Sequence, residues 1–280
     1  MIAAAAIPLT SLYVPGDRPD RFAKAFASET DVVIVDLEDA VLAGRKDEAR
    51  ENARRLLASP TPKPAVVRMN DLRSRWAAAD LAMLAGAPGL AGVRIPKVES
   101  AEDVRAARSV LGGRVMPLHC LIESARGLEA AFTIANADPS VASIALGEAD
   151  LRSDLGISDE EGLLWARGRI VVVARAAGLP PPAMSVYTNI EDLAGLAASC
   201  RHGRALGFLG RAAIHPKQLA TIVGAFMPTE SELIAAKALL DALGAAAERG
   251  SGVAVMPDGT FVDRAMVERA QRVIALAARR

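Results

Sequence analysis

The sequence predicts an α/β fold, a (β/α)8 TIM barrel with a C-terminal helix–hairpin–helix extension. Short runs of aliphatic and β-branched residues recur eight times, amphipathic stretches fill nearly every gap between them, and aromatic residues make up only 4% of the 280 residues. Regular alternation of strand and helix indicates a parallel sheet covered by helices, and eight repeats favour a barrel. The predicted strands span residues 11–14, 31–37, 65–69, 92–96, 116–122, 141–146, 183–188 and 211–215.

The intervening helices and the chain ends complete this prediction. Amphipathic periodicity predicts helices that include residues 45–58, 101–111, 162–177 and 190–206. We expect residues 1–225 to form the catalytic barrel. Residues 226–280 are expected to form an extension that caps the barrel or reaches a neighbouring subunit. Its predicted elements are a helix over 230–249, a hairpin over 253–262 turning at Asp258-Gly259, and a final helix over 263–279.

A doubly wound open sheet is the alternative fold. Such a sheet usually carries a glycine-rich phosphate loop after its first strand. Residues 15–19 do not match G-x-G-x-x-G, and no G-x-x-x-x-G-K-[ST] motif occurs in the chain. The barrel is therefore favoured.

Composition excludes several classes of partner. Basic and acidic residues balance at 33 each, so no nucleic-acid partner is expected. No apolar run approaches the roughly 18 residues of a membrane-spanning helix. The two cysteines, Cys120 and Cys200, lie in apolar runs and do not form a disulfide framework. The apolar N-terminal run lacks the basic start of a secretory signal. These features predict a reduced, cytoplasmic protein.

Two acidic residues end apolar runs and are the strongest functional signal. Glu123 closes the run 116–123, and Asp150 follows the run 141–146. The carboxyl ends of parallel strands form one rim, and carboxylates gathered there bind hard divalent cations. All candidate ligands are oxygens, which favours Mg²⁺ over zinc. Glu148 is a rival ligand beside Asp150, and Asp154 could simply cap a turn.

The fifth strand places Glu123 on a defined face. By strand alternation Glu123 shares its face with His119 and Leu121, which points into the barrel if the intervening residues face the helices. A buried carboxylate needs a metal ion or a cationic partner. Arg68 and Lys97 are the alternative ion-pair partners.

A second acidic group ends the second strand. Asp36 and Glu38 fall on one face of this segment and Asp39 on the other. This density of negative charge requires a cation or basic side chains nearby. The alternative interpretation is that these acids cap the next helix and pair with arginines. Arg68, near the end of the third strand, is a candidate bidentate clamp for a substrate carboxylate, with structural pairing to Glu38 as the alternative.

Two further side chains end strands. Lys97 could form a Schiff base, but the surrounding acids favour a charged, paired lysine. His215 could be a general base or a hydrogen-bonded structural histidine before Pro216. His202 lies in a polar predicted helix and is expected at the surface.

Taken together, these stretches resemble the family of citrate lyase β subunits and malyl-CoA lyases, (β/α)8 metal enzymes of the HpcH/HpaI aldolase type. The matching stretches occur in the family's order across nearly the whole chain. They are PGDRPDRFAK at 15–24, VDLEDAV at 35–41, VRMN at 67–70, IPK at 95–97, LIES at 121–124, GEADL at 147–151, ALGF at 205–208 and IHP at 214–216.

The resemblance implies a set of site residues. It implies that Glu123 and Asp150 bind Mg²⁺, with Glu38 and Asp39 reaching the ion through waters. It also implies that Arg68 is catalytic and holds the carboxylate and oxygen of a 2-oxo or 2-hydroxy acid.

The same resemblance implies a thioester substrate and a subunit-crossing base. Arg18 and Lys24 would contact the phosphates of an acyl-CoA. Asp263, in the segment 261–266, would be a catalytic base acting across a subunit boundary, which implies a homo-oligomer such as a trimer or hexamer.

The implied activity is Mg²⁺-dependent cleavage or formation of a 3-hydroxyacyl-CoA, such as malyl-CoA or citramalyl-CoA. The products would be a 2-oxo acid and acetyl-CoA or a related acyl-CoA. Alternatives are a citrate lyase β subunit inside a multienzyme complex, a metal-dependent aldolase of free hydroxy-oxo acids, and a malate-synthase-like enzyme that also hydrolyses the thioester.

Two positions depart from the family pattern. The family usually reads Gly-Ala-Glu-Asp where this chain has Gly147-Glu-Ala-Asp150, and it often has an aspartate where this chain has Ser185. These departures concern the acceptor acid more than the metal.

Overall fold

A computed structural model describes residues 8–112 and 116–278. The apolar N-terminal run considered above lies outside these residues. Internal contacts divide the chain into two compact units, and their described parts are residues 8–226 and 227–278. No helix in the described ranges combines the length and hydropathy that a bilayer crossing requires.

Strands and helices alternate through the first unit. The strands are β1 (Thr10–Pro15), β2 (Val32–Asp36), β3 (Ala65–Arg68), β4 (Leu90–Ile95), β5 (Leu118–Ile122), β6 (Val141–Leu146) and β7 (Arg211–Ala213). The helices are α1 (Phe22–Ala27), α2 (Lys46–Leu56), α3 (Ala77–Ala85), α4 (Ala101–Leu111), α5 (Ala125–Glu129), α6 (Ala131–Ala135), α7 (Glu148–Leu155), α8 (Leu164–Ala176), α9 (Leu193–Leu206) and α10 (Leu219–Phe226).

The strands form one parallel sheet in the order β6-β5-β4-β3-β2-β1-β7. Aliphatic side chains explain its buried position, since Val33, Ile34 and Val35 of β2 are fully buried. The covering helices present an apolar face inward. In α4, for example, Val104 and Ala107 are buried. The predicted α/β class with a parallel sheet is therefore confirmed.

The sheet curves strongly around its interior. Arg94 of β4 donates from Nη1 to the Tyr13 hydroxyl of β1 at 2.9 Å, although β2 and β3 lie between these strands in the sheet. This contact requires the two strands to approach each other across a concave face. The carboxyl ends of the strands therefore converge on one side.

The segment 183–188, predicted as a strand, differs from the prediction. It makes a single isolated parallel bridge, from Met184 to Arg211. Pro180, Pro181 and Pro182 precede it, and proline cannot donate to a ladder. On the side that faces β6, side-chain hydrogen bonds take the place of a backbone ladder.

These bonds are made by Ser185. Its hydroxyl donates to the Leu146 carbonyl at 2.5 Å and accepts from the Glu148 amide at 3.1 Å. On the β7 side, Arg211 donates from Nε to the Ser185 carbonyl at 2.8 Å. A serine hydroxyl thus joins this segment to β6 where a regular strand would use its backbone, and a buried guanidinium adds to the backbone bridge with β7.

The second unit contains α11 (Glu230–Glu248), β8 (Val253–Val255), β9 (Phe261–Asp263) and α12 (Val267–Ala277). Thr229 begins α11 with a capping box. The strands β8 and β9 pair antiparallel, and Gly259, with φ of 85°, supplies the left-handed conformation that their turn requires.

Candidate functional site

A cavity of about 640 Å³ lies within the first unit. Residues at the carboxyl ends of the strands line it, together with concave-face residues deeper in the sheet. Both predicted metal ligands, Glu123 and Asp150, line this cavity, and so do Arg68 and Asp39. The structure therefore brings four of the candidate residues together at one cavity.

The Glu123 carboxylate is held rigidly. It follows β5, is 5% exposed, and its Oε2 accepts from the Lys97 amide at 2.8 Å. Lys97 adopts a left-handed backbone, with φ of 52°, which is uncommon for a residue with a side chain. The Oε1 side packs against Gly147 so closely that a methyl group there would collide with it. Gly147 therefore makes room for this carboxylate.

Charge repulsion and burial act on the same carboxylate. Burial, together with the nearby Asp150 carboxylate, raises the pKa of Glu123 to about 7, although the hydrogen bond from the Lys97 amide opposes the rise. Two carboxylates that face one cavity favour a cation between them.

The donor set fits magnesium. No group of three or more His, Cys, Asp and Glu side chains in residues 8–112 and 116–278 is arranged to hold a metal ion. Mg²⁺, however, is usually bound through one or two carboxylates, with water and substrate oxygens completing its octahedron. Glu123 and Asp150 meet that requirement.

Arg68 is paired with acids of the second strand. Asp36, 1% exposed, accepts from Arg68 Nε at 2.7 Å and from Nη2 at 2.6 Å. Nη1 lies 2.9 Å from Glu38 Oε2 and 3.2 Å from Asp39 Oδ2. The pairing with Glu38 that the sequence left open is thus present. Asp36, which sequence reasoning did not match with Arg68, is its bidentate partner.

Lys97 also belongs to this ion-pair network. Its Nζ lies 2.5 Å from Glu38 Oε1 and 3.5 Å from Asp39 Oδ1. Burial lowers the pKa of Lys97, but the hydrogen bond and charge of Glu38 outweigh it and raise the pKa above its usual value. The lysine therefore stays charged, which agrees with the paired interpretation and disfavours a Schiff base.

Glu148, the rival metal ligand, is engaged elsewhere. Arg167 donates to both of its carboxylate oxygens at 2.7 Å, and this arginine is 2% exposed. Asp150 is therefore the better ligand of the two. Asp154 accepts from the Ala125 amide at 2.7 Å, so it caps the start of α5.

Three candidates from the resemblance do not line the cavity. Arg18 is half-buried and pairs with Asp20 at 2.8 Å, and Lys24 is exposed on α1. Asp263 ends β9 in the second unit, where its side chain accepts from the Ala265 amide at 2.9 Å and caps the turn before α12.

The histidine candidates have structural positions. His215 Nδ1 accepts from the Lys217 amide at 3.1 Å, which favours the structural interpretation. His202 is exposed on α9, as expected.

Sequence reasoning missed other residues that line the cavity, among them Tyr13, Arg94 and Arg211. Tyr13 and Arg94 alternate with buried aliphatic residues along β1 and β4. Period-2 alternation in strands otherwise rich in aliphatic residues was the signal that could have found them.

Comparison with known proteins places this site in a family. The model of the HpcH/HpaI aldolase/citrate lyase family matches residues 9–216. The chain belongs to this family. The resemblance found in the sequence motifs is therefore confirmed, and the protein is an enzyme of the aldolase and lyase type.

Members of the HpcH/HpaI family match over nearly the full chain. A citrate lyase subunit beta-like protein of Deinococcus radiodurans is 36% identical, covering 98% of this chain and 99% of its own. A (3S)-malyl-CoA thioesterase of Cereibacter sphaeroides is 35% identical, covering 95% and 93%. Among solved structures, CitE from Mycobacterium tuberculosis in complex with magnesium, acetoacetate and coenzyme A is 33% identical, with a TM-score of 0.82 and coverage of 98% and 99%.

Proposed function

We propose that this protein is a Mg²⁺-dependent carbon–carbon lyase acting on a 3-hydroxyacyl-CoA that carries a carboxylate on its hydroxyl carbon. The reaction would release a 2-oxo acid and acetyl-CoA or a related acyl-CoA, and it would run reversibly. The observation that carries this proposal is the pair of carboxylates, Glu123 and Asp150, facing one cavity beside Arg68. The magnesium and coenzyme A bound by the related CitE support it.

In this proposal Glu123 and Asp150 hold the magnesium ion, with Glu38 and Asp39 reaching it through waters. The ion supplies Lewis-acid polarisation of the substrate oxygen. The closeness of Glu123 to Gly147 and its bond from the Lys97 amide fix one ligand in advance. A fixed ligand lowers the reorganisation needed on binding.

Arg68 would stabilise negative charge on the hydroxyl oxygen as it becomes a carbonyl. The hydroxyl proton would pass to solvent water, the carbon–carbon bond would break, and its electron pair would pass to the thioester α-carbon as an enolate. Asp36 and Glu38 hold the guanidinium in place for this role. In the direction of synthesis the same contacts would hold the 2-oxo acid.

Asp263 would protonate the enolate as a carboxylic acid and, in condensation, remove the α-proton. We propose that a neighbouring copy of the chain in a trimer or hexamer supplies it, with Arg18 and Lys24 binding the phosphates of coenzyme A. In this proposal the first unit is a (β/α)8 barrel closed by the segment 183–188, and residues 226–280 are a cap or subunit-crossing lid.

The direct test is a retro-aldol assay of the purified chain on malyl-CoA, citramalyl-CoA and citryl-CoA, with Mg²⁺ or with excess EDTA. We expect turnover of at least one thioester that EDTA abolishes and added Mg²⁺ restores. Equal turnover in EDTA would contradict the metal-dependent mechanism. Inactivity of the isolated chain on every CoA ester would favour the citrate lyase β-subunit alternative.

Two variants test the proposed binding of coenzyme A by Arg18 and the proposed role of Asp263 as the catalytic acid and base. Arg18→Ala should raise the KM for the CoA thioester and leave binding of a free 2-oxo acid unchanged, whereas a free-acid aldolase would show no change in either. Asp263→Ala should lose turnover without losing Mg²⁺ binding, and undiminished turnover would remove Asp263 from the mechanism.

A further inference from the structure

Tyr13 lies on the concave face of the sheet, one pleat deeper than the ion pair between Asp36 and Arg68. Pro15 of β1 is the register partner of Asp36. Asp36 pairs in turn with Arg68, and Arg68 with Arg94. Register partners, and residues two apart along one strand, leave a sheet on the same side. Tyr13 therefore points into the interior with both arginines, and it lines the cavity of the candidate site.

Two guanidinium groups flank the Tyr13 ring. The guanidinium carbons of Arg68 and Arg94 lie 5.0 Å and 5.7 Å from the ring centroid, distances at which a cation is attracted to an aromatic face. Arg94 also donates from Nη1 to the Tyr13 hydroxyl oxygen at 2.9 Å. These contacts fix the ring beside Arg68, the residue that the proposed function places at the reacting oxygen.

The Tyr13 hydroxyl keeps a proton that it can donate. Arginine has no acceptor, so the Tyr13 oxygen is the acceptor of the bond from Arg94. Within residues 8–112 and 116–278 no group accepts the Tyr13 proton. A hydrogen bond received from a cation polarises the hydroxyl and makes it a stronger donor. The proton is therefore available to an oxygen of a substrate in the cavity.

Arg94 has few contacts besides this bond. Its Nε is buried without a hydrogen-bond partner, and among the described residues it forms no ion pair. Its register partner His119 brings no negative charge, because burial, and then the charge of Arg94, lower the pKa of this histidine to about 3. A guanidinium in these surroundings is costly to keep. The Tyr13 hydroxyl is the group to which its described hydrogen bonding is confined.

Arg68 has few donors left for a substrate. Asp36 accepts from its Nε and Nη2 at 2.7 and 2.6 Å, and Nη1 lies 2.9 Å from Glu38 Oε2. These contacts engage at least three of its five N–H groups. A substrate that carries a carboxylate and an oxygen on one carbon needs further donors, and Tyr13 is beside Arg68.

We propose that Tyr13 is a further catalytic residue, whose hydroxyl donates a hydrogen bond to the oxygen on the reacting carbon, and that Arg94 is the positioning residue that orients it. The inference rests on the proposed lyase function and deepens it. That oxygen carries negative charge before it becomes a carbonyl, so the hydrogen bond is strongest in the transition state. The proton stays on Tyr13 throughout.

The variant Tyr13→Phe removes the hydroxyl and keeps the ring. With the CoA thioester that the wild-type chain cleaves fastest, kcat should fall by about 100-fold, as for the loss of one oxyanion donor. KM should change less than about threefold, because the bond matters mainly in the transition state. The control Arg105→Gln, at an arginine of α4 that is 58% exposed and paired with Glu102, should change neither constant.

A double-mutant cycle tests the positioning role of Arg94. Arg94→Met should lower kcat about tenfold in the wild-type background, the effect of losing a charge-assisted hydrogen bond, and Arg94→Lys should restore part of the loss. In the Tyr13→Phe background, Arg94→Met should change kcat less than about twofold, because the hydroxyl that it orients is gone. A merely structural role of Arg94 would lower kcat equally in both backgrounds, and that result would overturn the positioning role.

Infrared spectroscopy of bound pyruvate gives a readout independent of turnover. The Mg²⁺-loaded chains are saturated with pyruvate that is isotope-labelled at its keto carbon, and the stretching band of the keto carbonyl is recorded. A hydrogen bond to this oxygen polarises the carbonyl and lowers the frequency of the band. Tyr13→Phe and Arg94→Met should both move the band to higher frequency, whereas Arg105→Gln should leave it in place.

The outcomes separate this inference from the proposed function. Should the wild-type chain cleave CoA esters while Tyr13→Phe keeps the wild-type kcat or leaves the band unmoved, the inference is overturned and the lyase function stands. A band that moves in Tyr13→Phe, in a chain that cleaves no CoA ester, would support the contact with Tyr13 and overturn the function. A wild-type chain that neither cleaves a CoA ester nor binds pyruvate would overturn both.

Discussion

The ion pair between Asp36 and Arg68 gives the sharpest prediction about stability. Asp36 is 1% exposed and accepts four hydrogen bonds. Two come from Arg68 and two from the amides of Glu38 and Ala40, at 2.9 and 3.2 Å. The variant Asp36→Asn keeps the volume but removes the charge, and it turns one acceptor into a donor that faces another donor.

The expected loss is large because both partners are shielded from water. Removing one partner of a buried ion pair costs about 3–5 kcal/mol, since the other charge is left buried. Some of this loss is recovered because Arg68 also approaches Glu38 and Asp39. We therefore expect about 3 kcal/mol, the lower end of that range.

Urea unfolding followed by tryptophan fluorescence measures this loss in the first unit, where both tryptophans, Trp76 and Trp165, lie. A loss of about 3 kcal/mol moves the urea midpoint by about 1 M when the m-value is about 3 kcal/mol/M. The control Glu51→Gln removes a carboxylate of an exposed ion pair with Arg54 and should leave the midpoint unchanged.

A double-mutant cycle completes the test. Once Asp36 is replaced, Arg68→Ala should cost far less than it does in the wild-type chain, because the partner is already lost. Additive effects of the two changes, or a midpoint for Asp36→Asn that matches the control, would refute this account of the pair.

Two further predictions concern Gly147 at the candidate metal site and the buried His119. Gly147→Ala should weaken Mg²⁺ binding at least tenfold in calorimetry, because its methyl group displaces the Glu123 carboxylate. The control Gly86→Ala, where a methyl group meets open space, should bind as the wild type, and equal affinity of both variants would contradict the argument. His119 has its pKa lowered to about 3 by burial, so the unfolded chain binds more protons than the folded chain below about pH 6.5, and stability falls as the pH drops towards 3. His119→Gln should flatten this slope in urea midpoints measured from pH 7 to pH 4 by up to about 1.4 kcal/mol per pH unit, and superimposable profiles would disprove the assignment.

Much of the fold could be predicted because its strands are short aliphatic runs that alternate with amphipathic helices. The helix predicted over 101–111 coincides with α4, and the strand predicted over 141–146 coincides with β6. The irregular structure of segment 183–188 could not be predicted from its apolar residues, which suit a strand. Its contacts with β6 and β7 depend on the side chains of Ser185 and Arg211. Those contacts come from residues distant in sequence.

The candidate site shows the same limit. The positions of Glu123 and Asp150 at strand ends were enough to predict that they share one cavity, because the carboxyl ends of parallel strands form one rim. The bidentate partner of Arg68 depends on the register that pairs Asp36 with it across β2 and β3, and register is a tertiary property. Arg167, which engages Glu148, projects from α8. No local pattern near Glu148 indicates this contact.

Magnesium binding by Glu123 and Asp150 is the central claim, and calorimetric titration of the purified chain tests it most directly. With pyruvate present, the wild-type chain should bind one Mg²⁺ per chain. Glu123→Gln and Asp150→Asn should each weaken binding at least tenfold. The control Arg105→Gln, at an exposed arginine of α4 that pairs with Glu102, should not. Wild-type affinity in both carboxylate variants would show that the ion, if bound, lies elsewhere and would contradict the account.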